Sequence, residues 1–154
     1  FEWEAVAGSR LVQPLVTDFT RRTQVMARYR MNDLLDLAEE PCACGSPLRA
    51  VRAIHGRQDD IFDLGALVTP DILRNAVVDA DRRITDFRIL QTCPREVVLE
   101  LDASLAEAAR GVAEALSQAI ARAGARATVQ ARLTDGFQLP TERKLRRVER
   151  LWRP

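Results

Sequence analysis

In the first third of the chain, apolar residues come in short runs broken by turn formers, and from Asp59 onward helical and alternating periods take turns. Leu11-Val12-Gln13-Pro14-Leu15-Val16 predicts a strand. Its proline suits an edge or a bulge better than the middle of a sheet. Val25–Tyr29 and Leu34–Leu37 are further short strands, and Ala38–Pro47, with its Pro, Gly and Ser, is a loop. Arg49–Ile54 alternates polar and apolar side chains, the pattern of a half-buried strand.

Beyond Asp59, Thr69-Pro70 predicts a helix start, with Thr69 as N-cap and proline at the first helical position. Ile72, Leu73, Ala76, Val77 and Ala80 then share one helical face. Two strands follow, Ile84–Gln91 and Glu96–Asp102, with Phe87 and Ile89 inward in the first and Val97, Leu99 and Leu101 in the second. Cys93-Pro94-Arg95 is the turn between them. Ser104 and Glu107 have the spacing of a capping box. Leu105, Ala109, Val112, Leu116, Ile120 and Ala123 continue as a helix that Gly124 closes. Ala127, Val129, Ala131 and Leu133 alternate in a last strand. The predicted order is β-α-β-β-α-β, a small α+β sandwich of the ferredoxin-like kind, preceded by a β-rich segment.

Composition narrows the choices. The 154 residues carry 23 basic and 22 acidic side chains, which argues against a dedicated nucleic-acid binder. No apolar run approaches a membrane span. The opening Phe1-Glu2-Trp3-Glu4 lacks both the basic start and the apolar stretch of a secretory signal. Three cysteines, an odd number, do not suggest a disulfide framework, so a reducing cytoplasm is the expected setting. Cys42 and Cys44, with His55 and Cys93 as distant partners, make a candidate zinc site. The Cys-x-Cys spacing is tighter than usual, and a turn with free thiols is the alternative.

Of the 23 basic residues only one, Lys144, is a lysine. An ammonium is a compact point charge on a flexible stem, whereas the guanidinium is a planar fork, so a single retained lysine points to a need for that shape. It lies in Leu139-Pro140-Thr141-Glu142-Arg143-Lys144, and two islands precede it: Arg28-Tyr29-Arg30-Met31-Asn32-Asp33-Leu34 and Ile54-His55-Gly56-Arg57-Gln58-Asp59-Asp60. In order and spacing, the three islands resemble the last three signature segments of the adenylate-forming superfamily of acyl- and aryl-CoA ligases, peptide-synthetase adenylation domains and luciferases. Cys42-Ala43-Cys44-Gly45 between the first two adds a likeness to phenylacetate-CoA ligase and the coenzyme F390 synthetase-like proteins.

The resemblance implies a C-terminal piece of a longer ligase. Residues 1–58 would be the β-rich edge of a large domain and residues 59–154 a small mobile lid. It implies that a carboxylate, expected to be aromatic, is joined to ATP with Mg2+ to give an acyl-adenylate, and that CoA or the phosphopantetheine of a carrier protein then takes the acyl group. By position in the motifs, Lys144 would stabilise charge in the first step, and Asp33 and Arg57 would bind the ribose and phosphate region. Asp59 would be the hinge and Gly65 the close-approach point for pantetheine. The sequence has Arg143-Lys144 where relatives have Gly-Lys, and Met31-Asn32 where they have Thr-Gly.

The basic cluster Arg143, Lys144, Arg146, Arg147, Arg150 and Arg153 could be a solvated face or a docking patch for an acidic carrier protein. A competing class is a stand-alone α+β module that holds RNA or a protein without catalysis. For RNA it needs stacking aromatics on the sheet, for which Phe87 is the one strand candidate in 59–154.

Overall fold

The computed structural model describes residues 1–20, 22–137 and 146–152. Its contacts divide the chain into two compact units, Phe1–Gln58 and Asp59–Pro154.

The first unit is an antiparallel sheet of five strands: β1 (Glu2–Ala5), β2 (Val12–Asp18), β3 (Met26–Arg30), β4 (Asp33–Leu37) and β5 (Val51–Arg57). The order is β1-β2-β4-β5, with β3 also paired to β2. The strand with Pro14 is therefore interior, contrary to the edge position its proline suggests. The physical reason is a change of partner. β2 pairs with β4 at Val12 and with β3 from Leu15 onward, and Pro14 falls between. The Pro14 carbonyl accepts from Met31 N at 2.9 Å. Proline has no N–H to return to Met31, and the Gln13 side-chain amide donates to the Met31 carbonyl instead, at 3.3 Å.

The second unit begins with a short ribbon, β6 (Phe62–Asp63) and β7 (Leu67–Val68), followed by α1 (Pro70–Ala80). Then come β8 (Phe87–Cys93), β9 (Glu96–Asp102), α2 (Ala106–Arg122), β10 (Thr128–Thr134) and β11 (Val148–Arg150). The main sheet has the order β10-β9-β8-β11. β8 and β9 form an antiparallel hairpin, β10 lies parallel to β9 after the α2 crossover, and β11 lies parallel to β8. The α+β class is as the periodicity predicts. In detail, the strand expected before α1 is the two-stranded ribbon, outside the main sheet, and β11 supplies the fourth sheet strand.

Period-3.6 and period-2 apolar positions meet in one core. Leu73 and Val77 of α1, Val112, Leu116 and Ile120 of α2, and Phe87, Ile89, Val97, Leu99 and Leu101 of the sheet are all buried in it. The ribbon adds Phe62, Leu64 and Val68. Thr69 is the N-cap residue of α1, but its side chain makes no capping hydrogen bond. The capping box at Ser104 is likewise absent. Asp102 Oδ1 accepts from Ser104 N at 2.9 Å and from Ser104 Oγ at 2.6 Å, because a carboxylate two residues earlier is the stronger acceptor. At the other end of α2, Gly124 has φ +81°, with Gly124 N bonded to the Ala121 carbonyl and Ala125 N to the Ile120 carbonyl. This is a Schellman cap, and the left-handed residue it needs is glycine.

Among the buried polar side chains of the described residues, Gln91 is the one with no exposed surface. Gln91 continues the inward row Phe87, Ile89 and is fully buried. Its amide Nε2 donates to the Asp63 carbonyl at 2.6 Å and to the Cys93 carbonyl at 3.3 Å, and Oε1 accepts from Asp63 N at 3.1 Å.

Leu116, with no exposed surface, is the central knob of α2. Leu116→Ala is expected to lower the unfolding free energy by about 3 kcal/mol through lost transfer energy and a residual cavity. Chemical denaturation followed by circular dichroism measures it.

Candidate functional site

β4 and β5 bring together two of the residues singled out in the sequence. Asp33 and Arg57 are direct cross-strand partners, and Gln58 N donates to the Asn32 carbonyl at 2.8 Å just beyond them. Opposite charges in this arrangement share one face of the pair. Asp33 is half-buried and Arg57 exposed.

This alignment depends on a backbone irregularity. From Asp33 to Leu35, β4 advances two residues while β5 goes from Arg57 to Ile54, so β5 carries one extra residue. Gly56, within that stretch, has φ +99°. Such a bulge resets the alternation of the strand and re-aims the side chains beyond it. Here it returns Arg57 to the face of Asp33. Gly56 is thus a site-shaping residue not singled out in the sequence, although a glycine inside a strand pattern is the usual signal of a bulge.

Asp36 was missed as well. It is 3% exposed in an otherwise apolar strand, and two guanidiniums meet it: Arg10 Nη2 at 2.9 Å, and Arg52 through Nε at 3.0 Å and Nη2 at 2.9 Å. A second one-residue offset, between Asp36 and Leu37, lies at Arg52. The hydrogen bonds from Arg52 hold the Asp36 carboxyl below the usual carboxylate range; burial opposes this, and the charges of Arg10 and His55 add to it. His55 itself is half-buried on β5.

The remaining residues are placed separately. Asp59 lies in the short 3-10 turn Gln58–Asp60. Gly65 is at the exposed tip of the β6–β7 ribbon with φ +86°, and a Cβ built there would meet nothing within 4 Å. Lys144 and Arg143 lie outside the described residues, as does Arg153. Cys42 and Cys44 are free thiols with their sulfurs 2.9 Å apart, and Cys93 belongs to the other unit. Among the described residues no three His, Cys, Asp or Glu side chains gather as a metal site, so neither a zinc set nor a carboxylate cluster for Mg2+ is found there.

Of the basic cluster, Arg146, Arg147 and Arg150 are among the described residues, and two of these three make internal contacts. Arg146 Nη2 bonds Asp60 Oδ1 at 2.8 Å and approaches Glu149 at 3.8 Å. Arg147 donates to the Thr85 carbonyl at 3.0 Å, lies 3.5 Å from Asp86 and sits over the Phe87 ring. Arg150 is half-buried on β11. Arg146 and Arg147 thus share their charge with Asp60, Glu149 and Asp86. Phe87 is 1% exposed in the core, which removes the stacking aromatic that the RNA reading requires. Among the described residues no helix is long and apolar enough to cross a membrane.

No family model and no curated protein matches the chain. Solved structures do. The chain is similar to 2-hydroxyisobutyryl-CoA ligase in the postadenylation state in complex with R3-HIB-AMP, with a TM-score of 0.61 and 23% identity over 90% of this chain and 31% of that one. The same ligase in an open conformation, in complex with 2-HIB-AMP and CoA, gives a TM-score of 0.53 and 24% identity over 90% and 32%. The fold is shared with part of 2-hydroxyisobutyryl-CoA ligase. The chain spans about a third of the length of those proteins. The nearer likeness to phenylacetate-CoA ligase rests on the sequence islands alone.

The Asp36 carboxyl, depressed in the folded state, contributes stability above its unfolded pKa of about 3.9. That contribution is lost as the pH falls below this value and through the lower folded one. Asp36→Asn is therefore expected to lower the thermal midpoint at pH 7 and to flatten its decline between about pH 4 and pH 2, since the titrating group is gone. Thermal melts across that range check both.

Proposed function

We propose that this chain is the C-terminal part of an ATP-dependent carboxylate ligase that forms an acyl-adenylate and then a thioester. Residues 1–58 serve as the edge of its large domain and residues 59–154 as the mobile lid. The observation that carries the reading is the Asp33–Arg57 pair, set on one face by the Gly56 bulge, in a fold shared with a ligase whose complexes hold acyl-AMP.

In the first step an oxygen of the substrate carboxylate attacks the α-phosphorus of ATP, and the bond to the leaving pyrophosphate breaks. The charge stays on phosphoryl oxygens, so the protein contributes positioning and electrostatic stabilisation. Asp33, with two acceptor oxygens, suits the two vicinal hydroxyls of the ribose. Arg57 beside it supplies a guanidinium for the phosphate side of the nucleotide. Lys144 is the residue we assign to supply an ammonium, a compact point charge suited to both the carboxylate and the α-phosphate. In the second step a thiolate attacks the acyl carbon and the bond to AMP breaks. Gly65, open and without a side chain, leaves room for the arm that carries the thiol. CoA is the acceptor we favour, because Arg146 and Arg147 are held in internal contacts rather than offered to a carrier protein. The aromatic character of the acid rests on the resemblance of the sequence islands.

In the full-length ligase, Lys144→Ala is expected to reduce acyl-adenylate formation by at least about a hundredfold, the scale of losing one charge-stabilising group in the transition state. Thioester formation from supplied acyl-adenylate is expected to persist. Pyrophosphate release and thioester yield, measured separately, test this. Equal loss in both half-reactions contradicts the role.

Asp59→Pro fixes φ and removes an N–H at the proposed hinge. If Asp59 is the residue whose torsions change between the two steps, one half-reaction suffers far more than the other, with adenylation the survivor. The same pair of assays reads the result, and a parallel fall in both excludes Asp59 as the pivot.

A further inference from the structure

A fully buried amide in an apolar row requires a reason. Phe87 and Ile89 fill the inward positions of β8 with hydrocarbon, and Gln91 follows them with no exposed surface. Burying an amide is unfavourable unless its donors and acceptor are matched. Here they are: both Nε2 hydrogens find carbonyls, and Oε1 finds an N–H. Two of those three bonds go to the backbone of a single residue, Asp63. A side-chain amide offers the same donor–acceptor pair as a peptide group, so Gln91 serves Asp63 as a neighbouring strand would.

Asp63 is the last residue of β6, two positions before Gly65. Hydrophobic anchors flank the turn, with Phe62 and Val68 wholly buried and Leu64 at 2% exposure. Those anchors hold the sides of the ribbon; the bonds from Gln91 hold the backbone that leads into its tip. The backbone carbonyl of Gln91 also accepts from Leu151 N at 3.0 Å and Trp152 N at 3.1 Å. One residue thus grips the Gly65 turn with its side chain and the chain leaving β11 with its main chain.

We propose that Gln91 is a positioning residue for the thioester-forming step, its amide acting as a surrogate strand that fixes the Gly65 turn where the thiol-bearing arm passes. This rests on the reading of Gly65 given above. Gln91 touches no reacting atom; it acts through the backbone of Asp63.

Gln91→Met keeps the length and packing of the side chain and discards its donors and strong acceptor. In the 154-residue chain, amide exchange at Asp63 and Gly65 is expected to accelerate at least about tenfold, while the amides in the middle of α2 keep their protection. In the full-length ligase, KM for CoA is expected to rise about tenfold while pyrophosphate release stays within about twofold of the parent, since misplacement affects only the step that uses the turn. Should Gln91→Met fail to fold, Gln91→Asn gives the same pattern, because its amide falls one carbon short of Asp63. Unchanged exchange at the turn, or faster exchange with an unchanged KM for CoA, overturns the proposal. Gly65→Ala separates it from the reading beneath. If that variant raises KM for CoA and Gln91→Met does not, only the role of Gln91 fails. If Gly65→Ala has no effect on KM, the reading of Gly65 fails and the proposal falls with it.

Discussion

A polar group removed from water must find partners inside the protein, and in each unit one such group governs what surrounds it. In Phe1–Gln58 it is Asp36, whose carboxylate sits in the inner strand β4 and draws Arg52 from β5 and Arg10 from the β1–β2 turn. In Asp59–Pro154 it is Gln91, whose amide joins the ribbon to the main sheet. Removing the partners of Asp36 or of Gln91 leaves that buried group unmatched, which is more damaging than never having had it at all. The apolar core supplies most of the stabilisation, but it does not dictate where a turn tip or strand end must lie. The matched polar groups do.

Backbone irregularities then aim the side chains. Pro14 sits where β2 changes partners, and Gln13 meets the carbonyl it leaves unmatched. Gly56 inserts the extra residue that brings Arg57 to the face of Asp33. Each is a departure from a regular ladder, and Gly56 stands next to a residue with a proposed chemical role, Arg57. Irregular backbone at such positions is common where a site must be built on a rigid sheet.

Periodicity made the core of the second unit readable. Leu73, Val77, Val112, Leu116 and Ile120 lie at helical spacing, and Phe87, Ile89, Val97, Leu99 and Leu101 alternate, so their common burial follows from sequence. β11 was not readable, because Val148 is a lone apolar residue among charges and its pairing with Ile89 is set by tertiary context. The capping box failed because Asp102, two residues earlier, competes for Ser104. For the site, Asp33 and Arg57 stand out as members of ordered islands, and their pairing across β4 and β5 is a matter of register. The engagement of Arg146 by Asp60, 86 positions away, is a contact that no local pattern encodes. A basic run in sequence looks the same whether its charges face solvent or are bound to carboxylates.

The central claim is that this fold serves adenylate chemistry on a carboxylic acid. The most direct measurement is to identify the nucleotide product when the full-length protein is incubated with ATP, CoA and a panel of aromatic and aliphatic acids. Adenylate formation breaks the bond between the α- and β-phosphates, so the expected products are AMP and pyrophosphate in equal amounts, formed only with an accepted acid and accompanied by an acyl-CoA thioester. ADP and inorganic phosphate, or AMP release that is indifferent to the acid, would contradict it.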